Sequence, residues 1–304
     1  MKKTNRIYGL VGVTAQMSMW NADMTLGPKQ VEDTFFGSDK ALKYAIKDFW
    51  RKQGAKIIYI KHRDKEYQLQ NLRQVYESEF NESLPDKKDT NANIKVLKNI
   101  LTCPDVRNFG CTFAVDNVNL GITGAVQVGQ GLNIYPDSTH EVIDILSPFV
   151  NSAKAGTMTS IGSKHIVNEA HYLYPFTVNP SNYKELEETL EGFEGYTEED
   201  WEHLKDALLK AVTALDTNSK TGCENSFALF VNCKNDSKLF LSNLNSYVTM
   251  DKNRTIDITA LQEHLEPVLD EIDSVEIYYN NNLLTLNYKE DSKYIVKNMY
   301  CKRI

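Results

Sequence analysis

Ser38-Asp39-Lys40-Ala41-Leu42-Lys43-Tyr44-Ala45-Ile46-Lys47-Asp48-Phe49-Trp50-Arg51-Lys52-Gln53-Gly54 is the most readable helix in the chain. Ser38 is placed to cap it, Asp39 sits in the first turn where the helix dipole favours an anion, and Gly54 is a C-terminal stop. Leu42, Ala45, Ile46, Phe49 and Trp50 recur at three- and four-residue spacing and define the face that packs inward. Opposite them, Lys40, Lys43, Lys47 and Arg51 fall within an arc of about 80° at 100° per residue and form one cationic ridge. No acid is read at four-residue spacing to neutralise it.

Outward from this helix, Ile7-Tyr8-Gly9-Leu10-Val11-Gly12-Val13 reads as a first, buried strand. Its basic-then-apolar outline imitates a signal peptide, but two glycines break the apolar run and no small-residue cleavage site follows. Between strand and helix lies a polar loop, Asn21 to Gly37, with Asp23, Lys29 and Asp33. After the helix, Ala55 to Ile60 is predicted to be a strand ending in the basic cluster Lys61-His62-Arg63. Residues 64–104 read as a polar helical insertion with Leu69, Leu72, Val75 and Tyr76 at helical spacing. Cys111 to Val115 and Leu120 to Ile134 read as strands, with Gly121, Gly124, Gly129 and Gly131 marking bulges or close backbone approaches. Asn151 to Ser163 is predicted to be a long loop and Lys164 to Val178 extended. Thr197 with Asp200 forms a capping box before a helix whose apolar face is Trp201, Leu204, Leu208, Leu209 and Val212. Phe227 to Asn232 is a short strand, and Val275 to Tyr279 with Leu283 to Tyr288 reads as a hairpin around Asn280-Asn281-Asn282. Strand, helix, strand, strands, helix, strand is the order of an α+β, ferredoxin-like sheet, the architecture of RNA-recognition motifs.

The 304 residues carry 34 Lys+Arg against 41 Asp+Glu, a formal charge of −7. That excludes a chain that coats duplex DNA by bulk charge. Charge is segregated, however: residues 1–65 hold 13 Lys/Arg against six Asp/Glu, whereas residues 181–216 hold eleven acids against three lysines. The 41% apolar and 25% charged composition is globular. Five cysteines without a CxxC pair fit a reducing, cytoplasmic setting. No run approaches the ~20 apolar residues that span a bilayer, so no membrane partner is expected.

Motifs of catalysis are missing. There is no phosphate-binding GxxxxGK[ST] loop, and Gly129-Gln130-Gly131 lacks the third glycine of a dinucleotide fingerprint. Met158-Thr159-Ser160-Ile161-Gly162 lacks the first glycine of a nucleophile elbow. His165 and His171 have no HExxH context, so they read as hydrogen-bonded structural residues, and neither metal nor cofactor is expected. Phe109 and Phe113 read as core, and an incidental, solvated basic face on a metabolic α+β protein remains an alternative.

Several blocks resemble the Cas-seven family, the backbone subunit of type I CRISPR interference (Cascade) complexes, most closely subtype I-B. They are Trp20-Asn21-Ala22-Asp23, the helix start Phe36 to Tyr44, Ile57 to Lys61, Asp105-Val106-Arg107-Asn108-Phe109-Gly110, Gly121 to Gln127, Gly162-Ser163-Lys164-His165-Ile166-Val167 and Thr197-Glu198-Glu199-Asp200. The resemblance implies one hand-shaped domain: an RNA-recognition-like palm of about residues 5–63, 105–135 and 197–235, an insertion at 64–104, a thumb-like segment at about 136–180 and a C-terminal extension at 236–304. It further implies non-catalytic binding of a guide RNA (crRNA) along its backbone, leaving bases free to pair with target DNA. Copies would stack along the guide beside Cas-five and Cas-eight type subunits and a guide-processing endoribonuclease. On this resemblance Lys40, Lys43, Lys47 and Arg51 lie on the RNA backbone with Gln16, Asn21 and Lys29 near it. Ser163, Lys164 and His165 belong to the thumb or its base, and Met158 wedges between bases. Gly124-Ala125 departs from the family pattern in lacking a proline. Backbone subunits of the related type III complexes cut RNA with a loop aspartate, which makes an endonuclease using Asp23 or Asp33 the alternative of a different class.

Overall fold

The computed structural model describes residues 1–86, 88–150 and 158–300. β1 (Ile7–Ser18) is a twelve-residue strand buried on both faces over most of its length. β2 (Gln30–Val31) and β3 (Thr34–Gly37) follow in the loop, and α1 (Asp39–Lys52) begins where expected. The insertion supplies α2 (Leu72–Phe80) and α3 (Ala92–Ile100), and α4 (Pro104–Phe109) follows at its end. Next come β4 (Gly110–Val115), β5 (Val118–Thr123), β6 (Val126–Val128) and β7 (Gly131–Asn133). Then β8 (His140–Val150) and the 21-residue β9 (Met158–Val178) form an antiparallel pair. After α5 (Lys184–Thr189) and α6 (Glu198–Lys210), β10 (Cys223–Cys233) returns to the sheet. The C-terminal part holds β11 (Thr249–Met250), β12 (Thr255–Asp257), α7 (Thr259–Leu265), β13 (Ile272–Tyr279), β14 (Thr285–Asn287) and β15 (Tyr294–Asn298).

The main sheet runs β15-β13-β10-β1-β9-β7-β3-β2, with β6 and β8 also on β9. β1 is central and antiparallel to both β9 and β10. Strand alternation sends Ile7, Val11, Val13 and Ala15 to one face, where they meet α1 and α6 residues such as Leu42, Trp50, Trp201 and Leu208. Tyr8 and Leu10 point to the other face, onto a second core built by Leu244, Ile256, Leu261 and Leu265 of the C-terminal part. Residues 236–300 thus both extend the sheet, through β13 and β15, and cover one of its faces. The insertion has its own core, where Val75, Tyr76, Val96 and Ile100 pack on Phe113 and Val118 of the β4–β5 hairpin.

Three expectations are corrected. Ala55–Ile60 is not a strand: the amides of Ile58 and Tyr59 donate to the buried Asp105 carboxylate at 3.2 and 2.8 Å, so a side chain takes the place of a neighbouring strand. Val275–Tyr279 does not pair with Leu283–Tyr288, because β13 has β10 on one edge and β15 on the other, while β14 joins β12 in a separate small sheet. Met158–Ser163 belongs to β9 rather than to a loop, and Asn151–Thr157 lie outside the described residues. The expected close approaches hold at Gly124, where a Cβ would stand 2.2 Å from the Gly110 amide nitrogen, and at Gly131, where it would meet the Tyr174 ring at 2.4 Å. At Gly121 a Cβ would meet nothing.

Candidate nucleic-acid interface

α1 is held as its sequence dictates. The Ser38 side chain caps it, accepting from the Ala41 amide, and Trp50 is fully buried with its indole N–H donating to the His203 carbonyl of α6 at 3.3 Å. The four ridge cations share a face but differ in availability. Lys40 is exposed. Lys43 pairs with Asp39 at 3.1 Å, one helical turn back, and its Nζ lies 5.4 Å from the Phe109 ring centroid. This corrects the expectation of no acid at four-residue spacing. Lys47 donates to the Tyr59 carbonyl at 2.7 Å; burial lowers its pKa, against the raising effect of the nearby Asp105 charge. Arg51 donates to the Lys61 carbonyl at 3.2 Å and to Asp48 at 2.8 Å. Lys47 and Arg51 therefore also staple the segment after α1 to the helix, while Lys43 is tied to Asp39 of the same helix.

At the other end of α1, the polar loop is fixed by hydrogen bonds. Asn21 accepts the Ser38 amide at 2.7 Å through its side chain and the Lys29 amide at 3.1 Å through its backbone carbonyl. Gln130, from the β6–β7 turn, accepts the Asp39 amide and donates to the Asp39 carboxylate at 3.2 Å. Burial raises the Asp39 pKa, and the hydrogen bonds from Lys43 and Gln130 outweigh it and hold the group below its ordinary 3.8. Lys220 donates to the carbonyls of Met19 and Trp20 and lies 5.5 Å from the Trp20 ring, anchoring the loop's start. Asp23 acts as a turn former: its Oδ1 accepts from the Thr25 amide, the Thr25 hydroxyl and the Gly27 amide, and the Thr25 bond is the main cause of its lowered pKa.

The tip of this loop meets the base of the β8–β9 hairpin. A Cβ on Gly27 would stand 3.9 Å from both Asp23 Oδ1 and His165 Nδ1. His165 stacks on His140, with ring centroids 5.1 Å apart and Nδ1 3.0 Å from His140 Nε2. Ser163 Oγ lies 3.4 Å from His165 Nε2, and Lys164 is half-buried opposite Ile143. Met158 pairs with Val150 in the hairpin. Gln16 stands apart on β1, half-buried opposite Glu169.

So Asn21, Lys29 and Lys40 gather at one end of α1, and Ser163 and His165 join them through the loop tip. Lys47 and Arg51 lie up to ~16 Å farther along the helix at 1.5 Å per residue. Sequence reasoning missed His140, Gln130 and Lys220, whose partners are 25 to 201 residues away. His171 is the hydrogen-bonded structural residue expected, buried between Glu169 at 2.7 Å and Thr14 at 3.0 Å. Among the described residues no three His, Cys, Asp or Glu side chains gather as a metal site, and no helix is long and apolar enough to cross a membrane.

A large, mostly antiparallel sheet with helices on one face, a cationic helix and a long β8–β9 pair that meets the loop before it define the class: an α+β protein with a candidate surface for a polyanion. The family described as CRISPR-associated protein Cas7 matches residues 5–277, and the chain belongs to it. Among solved structures, the chain is similar in fold to a chain of a "CRISPR RNA-guided surveillance complex, pre-nicking", at 11% identity and a TM-score of 0.50, covering 94% of this chain and 96% of that one. It is similar also to a chain of a "CRISPR RNA-guided surveillance complex", at 12% identity and a TM-score of 0.51, covering 93% and 94%. No curated protein sequence matches it.

Proposed function

We propose that this chain is a non-catalytic guide-RNA backbone-binding subunit that oligomerises along the crRNA in a type I CRISPR interference complex, of subtype I-B, acting in the cytoplasm. Membership of the Cas7 family over residues 5–277 carries this reading. The strand order β10-β1-β9-β7, with α1 and α6 on one face, is the 4-1-3-2 order of a ferredoxin-like sheet and supports an RNA-recognition-like palm. The separately packed insertion suits a finger, and the β8–β9 hairpin suits a thumb on which Met158 wedges between bases. Lys40 offers an exposed ammonium to a phosphate. Lys43, Lys47 and Arg51 add positive potential from tethered positions, while Gln16, Asn21, Lys29, Ser163, Lys164 and His165 flank the track. Target DNA is met through the guide, and the remaining partners are further copies, Cas-five and Cas-eight type subunits and the guide-processing endoribonuclease.

The test is purification with and without a CRISPR guide RNA, measuring nucleic-acid content and particle length. The wild type should retain RNA in particles that lengthen with the guide. The triple variant Lys43→Glu/Lys47→Glu/Arg51→Glu, if folded, should bind more weakly with a shallower salt dependence. Unchanged affinity and slope would remove the ridge from the interface. Target-RNA fragments that vanish on Asp23→Asn or Asp33→Asn would favour the endonuclease instead.

A further inference from the structure

The segment that α1 staples down continues into a tight turn that the guide track does not use. Gln70 donates its amide to the His62 carbonyl at 3.1 Å, Arg63 and Leu69 pair as a bridge, and Asp64 donates to the Gln68 carbonyl at 3.0 Å. The Asp64 carboxylate closes the turn, accepting the amides of Glu66 and Gln68 at 3.0 and 2.8 Å. At its tip Tyr67 adopts φ 65°, a left-handed conformation that a bulky side chain rarely takes. The result is a tyrosine residue 74% exposed to water. The Arg63 guanidinium lies 4.3 Å from the ring centroid, held there by a 2.7 Å bond to the Tyr67 carbonyl. Lys61 and Lys65 are exposed on the same turn and form no salt bridge among the described residues, with Glu66 the exposed opposing charge.

We propose that this turn is a base-stacking contact for the guide RNA, continuing the backbone track of α1, to which Arg51 joins it through the Lys61 carbonyl. Tyr67, backed on one face by Arg63, takes a nucleobase on its other face, and Lys61 and Lys65 take the flanking phosphates. An aromatic platform on a hydrogen-bonded turn among exposed cations suits a strand that alternates planar bases with anions. Tyr67 and Arg63 would suit a protein partner as well, and it is Lys61 and Lys65 that favour RNA, because lysines are depleted at protein interfaces and line the backbone track of single strands. The inference rests on the guide-RNA reading and adds to it a base contact beside the backbone contacts.

The experiment uses the full chain and a single-stranded guide RNA carrying a fluorescent adenine analogue. Tyr67→Ala should weaken binding about tenfold and relieve quenching of the analogue, with the salt slope unchanged, since stacking releases no counterions. Tyr67→Phe should restore both. Lys61→Ala and Lys65→Ala should each lower the slope by about 0.7. Tyr67→Gly separates recognition from folding: relief of the left-handed strain should raise the melting temperature while RNA affinity falls. Wild-type affinity and quenching in Tyr67→Ala and Tyr67→Gly would overturn the inference, as would loss of association with another protein at unchanged RNA affinity. A wild-type chain that binds no guide RNA would instead remove the reading beneath it.

Discussion

α1 and α6 pack side by side on one face of the sheet and carry opposite charge. α1 has five cations and two carboxylates, and α6 has five carboxylates and two lysines. Each helix spends much of its charge internally. On α1, Asp39 takes Lys43, and Asp48 takes both Arg51 and Lys52. On α6, Asp200 closes the capping box with Thr197 and also receives the Arg107 guanidinium, while Lys205 crosses to Glu276 on β13 at 2.8 Å. The sign of each helix survives this pairing, but the number of groups free to meet a ligand is smaller than composition implies. Availability, not count, separates a structural charge from a binding one.

The largest effect that would break the symmetry lies on α6. Asp200→Ala removes the carboxylate half of the Thr197 capping box and leaves Arg107 with the Gly195 carbonyl and the Phe193 ring in a site about one-sixth exposed. A destabilisation of about 3 kcal/mol is expected, measured by denaturant unfolding, with RNA affinity unchanged in the folded fraction. A loss below about 0.5 kcal/mol would show that the pair contributes little beyond a surface contact.

On α1 the comparison turns on two lysines seven residues apart. Lys47→Met leaves the Tyr59 carbonyl without its donor and Asp105 without a neighbouring cation, and should cost about 1 to 2 kcal/mol with little change in the salt slope of RNA binding. Lys40→Gln should do the reverse: stability within about 0.5 kcal/mol of wild type, and a slope smaller by about 0.7. If Lys47→Met changes the slope as much as Lys40→Gln, the tethered lysine is a direct phosphate ligand.

The legibility of the two helices in the sequence follows the same division. α1 and α6 were readable because cap, apolar spacing and stop are local signals, and Thr197 with Asp200 forms the capping box expected. The mixed α+β class was legible in the order of elements, but the sheet order was not, because the segment read as the strand directly after α1 is not one and β7 lies about 80 residues on. Ala55–Ile60 was misread because its apolar run carries no sign that Asp105, 46 residues on, satisfies its amides. The terminal hairpin failed for a similar reason: local periodicity does not reveal that β13 already has neighbours on both edges. At the candidate site, the spacing placed the ridge on one face but not the bonds by which Lys47 and Arg51 hold the Tyr59 and Lys61 carbonyls. Those depend on where residues 57–61 return, which is tertiary information.

The smallest expected effect sits where the loop before α1 meets the hairpin, and α6 supplies its internal control. Burial, and then the adjacent His165, hold the His140 imidazole below its ordinary 6.5. With a ring nitrogen 3.0 Å from one of His165, a charge gained on His140 is disfavoured in the closed contact. The sign follows directly. An open hairpin base binds a proton more readily than the closed one, so closure is favoured above pH 6.5 and weakens as the pH falls through and below that value. Amide exchange at Val142 and Val167, which flank the pair in the β8–β9 ladder, should accelerate a few-fold between about pH 7.5 and 5.5 after correction for intrinsic rates, while α6 amides hold steady. His140→Gln keeps a hydrogen-bonding side chain without the titration and should flatten the profile. Equal acceleration in α6 would mean that acid loosens the whole molecule, and the His140–His165 contact would then have no separate part in holding the hairpin against the loop.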